Sequence, residues 1–189
     1  MKRAVAAGLA LALGLALGGC VVFPYGPYWK PEVVTAGVSV DYRQAWCGEQ
    51  VGPITKARVA LADGTRVELR VEDKPAPYVF VVLSPGPTPI ELGPTQSFAP
   101  ASGRAAAVTV PTALRRSIYA NGKYDIRRDG PLRITADERA ALSLEVPIPE
   151  GLGDFVYTLP ELHTPSGVQR LQVRFERRRF DGGVQPFNC

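Results

Sequence analysis

His163 is the single histidine of the 189-residue chain, and Cys20, Cys47 and Cys189 are its three cysteines. One imidazole cannot make a histidine metal cluster, so acid–base chemistry would rest on His163 with carboxylates brought in from distant loops. It lies in Pro160-Glu161-Leu162-His163-Thr164-Pro165, which reads as a strand-end loop where a lone histidine is usually a surface residue. Ser166-Gly167 lacks the Gly-x-Ser-x-Gly nucleophile elbow. There is no Cys-x-x-Cys, no Gly-rich phosphate loop and no His-Glu-x-x-His. Glu72-Asp73 and Asp137-Glu138 are acid pairs that read as solvated turn residues. The inventory points away from an enzyme and calls for no cofactor and no metal. A hydrolase built on His163 is the alternative. The densest local feature is basic: Arg170, Arg174, Arg177, Arg178 and Arg179. Guanidinium groups grip phosphates and carboxylates through paired hydrogen bonds, so these five read as a contact for an anionic partner. The competing reading is an edge strand guarded by charge against aggregation.

The first 20 residues decide where such a contact would operate. Lys2 and Arg3 form a short positive start, and Ala4 to Ala16 is an uncharged run of Ala, Leu, Val and Gly. Leu17-Gly18-Gly19-Cys20 follows at once, completing the layout of a secretory signal with small residues before the cut. The uncharged run up to Gly19 is shorter than the roughly 20 apolar residues that span a bilayer. This stretch resembles the signal peptides of bacterial lipoproteins, whose lipobox ends in Leu, two small residues and Cys. The resemblance covers residues 1–20 only and implies a diacylglycerol on the Cys20 sulfur, cleavage before Cys20 and acylation of the freed amine. Several acyl chains, each worth about 0.8 kcal/mol per buried CH₂, hold a protein firmly on a membrane. In similar Gram-negative lipoproteins an Asp after the cysteine favours the inner membrane; Val21 stands here, so the resemblance implies the outer one.

Loss of Lys2 and Arg3 leaves 20 basic against 18 acidic residues, a formal charge of +2 instead of +4. That is too little for a nucleic-acid partner. Residues 20–189 suffice for one domain with a good core. The 18 prolines and 19 glycines cut the chain into short segments, which favours strands and turns. With Cys20 lipidated, Cys47 and Cys189 remain, and two cysteines left over in an exported protein read as a disulfide. Loop-closure entropy gives about 5 kcal/mol for so long a loop as an upper figure, with 2–4 more usual. Two free thiols, or a Cys189 paired with another chain, are the alternatives.

Val21 to Pro31 reads as a Pro- and aromatic-rich tether kept extended by three prolines. Phe23, Tyr25, Tyr28 and Trp29 either lie at the lipid headgroups or pack on the domain. Val34, Ala36, Val38, Val40 and Tyr42 alternate with polar residues and predict a strand with one wet side. Ala57, Val59 and Leu61 face Thr65, Val67 and Leu69 across Ala62-Asp63-Gly64. A three-residue loop with Gly64 left-handed keeps both apolar sets on one side, whereas a two-residue turn would mix the faces. Tyr78 to Leu83 reads as a central strand and Pro85 to Pro100, with five prolines, as loop.

Further strands are expected at Ala105 to Val110, Leu132 to Thr135, Leu142 to Ile148, Phe155 to Leu159 and Val168 to Phe175. Thr112 to Ser117 reads as a short capped helix, with an Asn121-Gly122 hairpin pairing Tyr119 with Tyr124 as the alternative. The segments 69–85 and 144–160 echo one another faintly, which leaves two related halves open.

The resulting expectation is an all-β protein, a β-sandwich that is immunoglobulin-like in the broad sense, with room for one short helix. Residues 1–19 are the signal peptide, 20–31 the lipidated tether and 32–189 the sandwich domain. The expected function is an outer-membrane lipoprotein, its domain facing the periplasm and serving as a binding or scaffolding module. Its partners would be the membrane, through the anchor, and an envelope protein or anionic glycolipid. Besides the hydrolase, an accessory subunit of a secretion or envelope-biogenesis machine remains as an alternative.

Overall fold

The structure, a computed structural model, describes residues 20–23, 26–46, 48–73, 76–103, 105–120, 123–127, 132–135, 141–165, 167–181 and 183–186. In chain order the strands are β1 (Cys20–Phe23), β2 (Gly26–Val33), β3 (Ser39–Trp46), β4 (Val51–Ala60), β5 (Arg66–Glu72) and β6 (Tyr78–Ser84). Then come β7 (Ile90–Leu92), β8 (Thr95–Pro100), β9 (Val108–Pro111), β10 (Leu114–Ala120), β11 (Lys123–Arg127) and β12 (Arg133–Ile134). The last six are β13 (Ala141–Pro147), β14 (Phe155–Thr158), β15 (Leu162–Thr164), β16 (Gly167–Gln169), β17 (Gln172–Phe180) and β18 (Gly183–Pro186). All described pairings between them are antiparallel.

One layer is a seven-stranded sheet in the order β11-β10-β13-β6-β5-β4-β3. Its heart is the hairpin that side-chain alternation demands. Ala57 pairs with Leu69 and Val59 with Val67, so the apolar sets share one face as expected. Leu61 N bonds Thr65 O at 2.9 Å, and Gly64, at φ +84°, takes the left-handed place in the three-residue loop. The buried Thr65 fixes that loop to its neighbour. Its hydroxyl bonds Asp63 Oδ2 at 3.0 Å and accepts from Gly86 N at 3.2 Å. A Cβ on Gly86 would meet Asp63 O at 2.3 Å, so only glycine permits the approach. Strand β6 lies between β5 and β13, the central place its apolar run requires.

The other layer is a five-stranded sheet, β2-β17-β14-β8-β9. Its inner face is aromatic where the first sheet's is aliphatic. Phe155 is the hub, with ring centroids 5.4 Å from Trp29, 5.6 Å from Phe98 and 5.3 Å from Phe175. These rings join Val59, Val67, Leu69, Val79, Val81, Leu83, Leu142 and Leu144 in one core. Tyr157 is fully buried, and burial pushes its phenol well above the ordinary range, so it stays a neutral donor. It donates to Gln96 Oε1, while Gln96 Nε2 donates to Pro111 O at 3.1 Å, so the pair is satisfied. A small sheet, β12-β7-β15-β16, adds Ile90, Leu92, Ile134 and Leu162 to the same core.

Strands β1 and β18 form a two-stranded ribbon of their own. Its pairs keep the register of the β2–β17 ladder: Gly26 faces Phe180 there, and here Phe23 faces Gly183 and Cys20 faces Pro186. Only the backbone of this ribbon is described.

The all-β sandwich expected from the sequence is what folds; the immunoglobulin-like refinement is not confirmed, since β3 to β6 run as a four-strand meander within one sheet. Several expectations are corrected. No helix forms at Thr112 to Ser117; Leu114 starts β10, which pairs with β13 and with β11, and Tyr119 faces Tyr124. Hydrogen bonds on both sides satisfy more backbone than a short helix can. The strand expected from Val34 begins only at Ser39, because the chain turns at Ala36-Gly37 with Gly37 at φ +77°. Pro85 to Pro100 is not all loop: β7 and β8 fit between prolines that stand outside them or at their end. Val168 to Phe175 splits at Arg170-Leu171 into β16 and β17. The supposed tether is strand at Cys20–Phe23 and again from Gly26, and Trp29 is buried, its Nε1 donating to Asp73 Oδ1 at 3.1 Å. The echo between 69–85 and 144–160 has no counterpart, since β5 pairs with β6 whereas β13 and β14 lie in different sheets.

Phe155 makes three of the ring contacts that build the inner face of the second layer. Phe155→Ala should therefore cost about 3–5 kcal/mol, and Val156→Ala, on the outer face, well under half of that. Urea unfolding monitored by circular dichroism, with the slope checked for constancy, reads both values.

Candidate interaction surface

The outer face of the seven-stranded sheet carries an alternating chain of six charges. Lys56 Nζ lies 2.6 Å from Glu49, whose carboxylate also receives Arg58 at 2.8 Å; Arg58 bonds Glu68 at 2.7 Å, and Glu68 bonds Arg70 at 2.8 Å. Arg70 reaches on to Glu72, and its guanidinium lies 4.5 Å from the centre of the Phe80 ring. The register explains the need for this chain. Arg43 faces Lys56, and Lys56 faces Arg70, so three cations stand in one row across adjacent strands. Like charges directly opposite repel. Asp41 answers Arg43, Glu49 answers Lys56, and Glu68 with Glu72 answers Arg70. Part of this chain was legible from the hairpin, which puts Lys56 and Arg58 beside Glu68 and Arg70. Glu49 was not, because it acts from a turn.

That turn is held under strain. Glu49 sits at φ +71°, a left-handed conformation uncommon outside glycine. Backbone bonds from Gln44 N to Glu49 O at 3.2 Å and from Gln50 N to Trp46 O at 3.1 Å close the turn around it. The ion pairs with Lys56 and Arg58 compensate for the backbone conformation.

The five arginines singled out in the sequence do not form one open patch. Arg170 lies in the bend between β16 and β17, forked on Glu161 at 2.7 and 2.8 Å. Arg174 faces Glu32 at 3.5 Å. Arg178 is paired with Glu176 on its own strand. Arg179 meets Asp181 only at 3.9 Å, with both side chains largely exposed. Arg177 lies over the Trp29 ring at 5.7 Å from its centre, and its backbone N donates to Asp154 Oδ1 at 2.8 Å. Thus Arg177, Arg178 and Arg179 gather where β17 runs beyond β14, beside Trp29, Tyr28 and Pro27 of β2, while Arg170 and Arg174 belong elsewhere.

His163 is on β15, half exposed, with Nε2 at 3.4 Å from Glu161 Oε2, so Glu161 stands between His163 and Arg170. Beside that trio a polar depression of about 400 Å³ is lined by Thr95, Ser97, Thr109, Thr158 and Gln172. Register sets four of these in one row across β9, β8, β14 and β17: Thr109 faces Ser97, Ser97 faces Thr158, and Thr158 faces Gln172. Gln172 Nε2 donates to Thr158 Oγ1 at 3.2 Å. The row offers hydroxyl and amide groups on an open sheet and no enclosed cavity. Glu72 and Asp73 sit at the end of β5, Glu72 held by Arg70 and Asp73 by Trp29. Cys47 and Cys189, the expected bridge, lie outside the described residues, as do Ser166, Asp137 and Glu138.

No protein-family model, curated protein or solved structure matches this chain.

The hydrogen bond from Lys56, with the charge of Arg58 beside it, holds the Glu49 carboxyl below its ordinary value of 4.5. A depressed carboxylate stabilises the fold above its unfolded value and loses that contribution as pH falls through the folded one. Glu49→Gln should lower the melting temperature most at neutral pH and converge with the unchanged protein as pH falls below about 4. Melting curves from pH 7 down to 3 check the sign; a gap that widens in acid would contradict it.

Proposed function

We propose that this is a lipid-anchored protein of the bacterial outer membrane, acylated at Cys20, whose periplasm-facing sandwich works as a non-enzymatic binding or scaffolding module. The observation that carries the reading is Leu17-Gly18-Gly19-Cys20 after a basic start and an uncharged apolar run. The fold supports the binding role. Its sheet faces are broad, charge-compensated and rich in groups that hydrogen-bond a partner: the Glu49-to-Glu72 chain on one layer, the Thr109-to-Gln172 row on the other. Such faces suit docking within a larger envelope assembly.

The Cys47–Cys189 bridge belongs to the same proposal. Its support is the Phe180 ring, 5.2 Å from that of Trp46, which brings the last long strand alongside the residue before Cys47. From Phe180 to Pro186 the chain advances by up to about 20 Å, and the three residues after it reach about 10 Å. The bridge therefore requires the ribbon to bend back toward the β3–β4 turn.

Cys20→Ala should abolish acylation and leave the precursor uncut, and the mature N-terminal peptide of the unchanged protein should carry the mass of its acyl chains. A mature chain starting elsewhere without lipid would sink the anchor. Crosslinking in cells, followed by purification through the lipidated protein, should recover a stoichiometric partner that is lost with Cys20→Ala. A lipidated protein that remains alone overturns the scaffolding role.

Non-reducing peptide mapping tests the bridge separately. One linked peptide is expected, with a loss of about 2–4 kcal/mol in the double Ser variant. Two alkylatable thiols in protein from the periplasm would show that no bridge forms.

A further inference from the structure

We infer that a depression on the outer face of the seven-stranded sheet, walled by Tyr78 and ended by the Arg115–Glu145 ion pair, binds a neutral pyranose sugar. The inference rests on the binding-module reading and deepens it by naming the ligand's chemical class. The depression measures about 450 Å³, inside the roughly 300–1,000 Å³ of small-molecule sites. Register puts its strand residues on one face of three neighbouring strands. Tyr78 of β6 faces Pro147 of β13, and Phe80 faces Glu145; Val82 faces Ser143, which in turn faces Arg115 of β10. The residues that alternate with them, Val79, Val81, Leu114 and Leu144, belong to the core on the other side.

Two kinds of surface meet in this depression. Pro77, Pro147 and Ala113 give it an apolar floor next to the Tyr78 ring. Ile148 N donates to Pro77 O at 3.1 Å, which holds Pro77 against the end of β13. The Phe80 ring meets that of Tyr78 edge to face, centroids 6.3 Å apart, and fixes its orientation. At the polar end Arg115 is paired with Glu145, and only 25% and 29% of these side chains are exposed. Tied to each other and partly withdrawn from water, they present donors and acceptors in a fixed arrangement.

A pyranose has the same two-sided character, a flat face of C–H groups and a rim of hydroxyls. The two charges of the pair cancel, so a charged ligand gains no net attraction from them. A hydroxyl both donates and accepts, and can serve Glu145 and Arg115 at once. A peptide is disfavoured on separate grounds. Strands β6, β13 and β10 each have a partner on both sides, so no edge is open for backbone pairing.

Saturation-transfer NMR on the mature protein, held in a detergent without sugar headgroups, tests the site. The probes are cellotriose and chitotriose, with a hexaproline peptide as the competing ligand. Saturation should reach the ring C–H protons of at least one trisaccharide and none of the peptide. Tyr78→Phe should bind as the unchanged protein does, while Tyr78→Ala should bind about tenfold and Glu145→Gln about fivefold more weakly. Ala113→Trp fills the depression from an exposed position without touching the core, and should abolish binding. Transfer to neither sugar, or binding that survives Ala113→Trp, overturns the inference. Transfer to hexaproline alone overturns it in favour of a peptide site. If crosslinking in cells still recovers a protein partner after such a result, the binding module stands without the sugar. Loss of that partner as well removes both.

Discussion

The β2–β17 ladder is the constraint on which the rest of this structure depends. It joins residues 26–33 to residues 173–180, so almost the whole domain is the loop that it closes. Closing a loop of that length costs about 4 kcal/mol in chain entropy. The ladder's hydrogen bonds, the Trp29 ring on Phe155 and the buried Pro31 opposite Phe175 offset that cost. Without β2 the five-stranded sheet would lose its edge, and the aromatic hub at Phe155 would lose Trp29. The β1–β18 pairs keep the same register as this ladder.

The two layers divide the chemistry between their faces. Inside, a row of rings on one sheet meets a field of Val and Leu on the other, with Tyr157 and Gln96 bonded to each other and to Pro111 O. Outside, the register places three cations in line, and the fold answers each with a carboxylate. Glu49 does this from a left-handed backbone, so local strain there is tied to an electrostatic requirement of the sheet. The edge strand β3 is irregular, with register shifts between Arg43 and Gln44 and between Gln44 and Trp46. A bulged, charged edge resists pairing with a second sheet.

Among the arginines, spacing along the chain was a poor guide to what stands together. Arg170 and Arg174 look like members of one basic run, yet the bend at Leu171 and the facing Glu32 separate them from the cluster at residues 177–179. What distinguishes Arg177 is a ring from β2, nearly 150 residues earlier in the chain. No local pattern could have announced that contact.

By itself the sequence determined whatever rests on neighbours along the chain. Alternation in 57–69 dictated the hairpin, its loop length and the left-handed Gly64, because a slip of one residue would have exposed Val59 or Val67. The apolar run at Tyr78 to Leu83 demanded a central strand, which β6 is. Tertiary structure decided whatever depends on a distant partner. Pro- and aromatic-rich residues 21–31 read as tether until β17 is present to pair with residues 26–31, and residues 112–117 read as helix until β13 and β11 pair with the strand that starts at Leu114. Backbone hydrogen bonds have no sequence preference of their own. Which strand receives them is settled by the packing of Trp29, Phe155 and Phe175, residues that meet only when the sandwich closes.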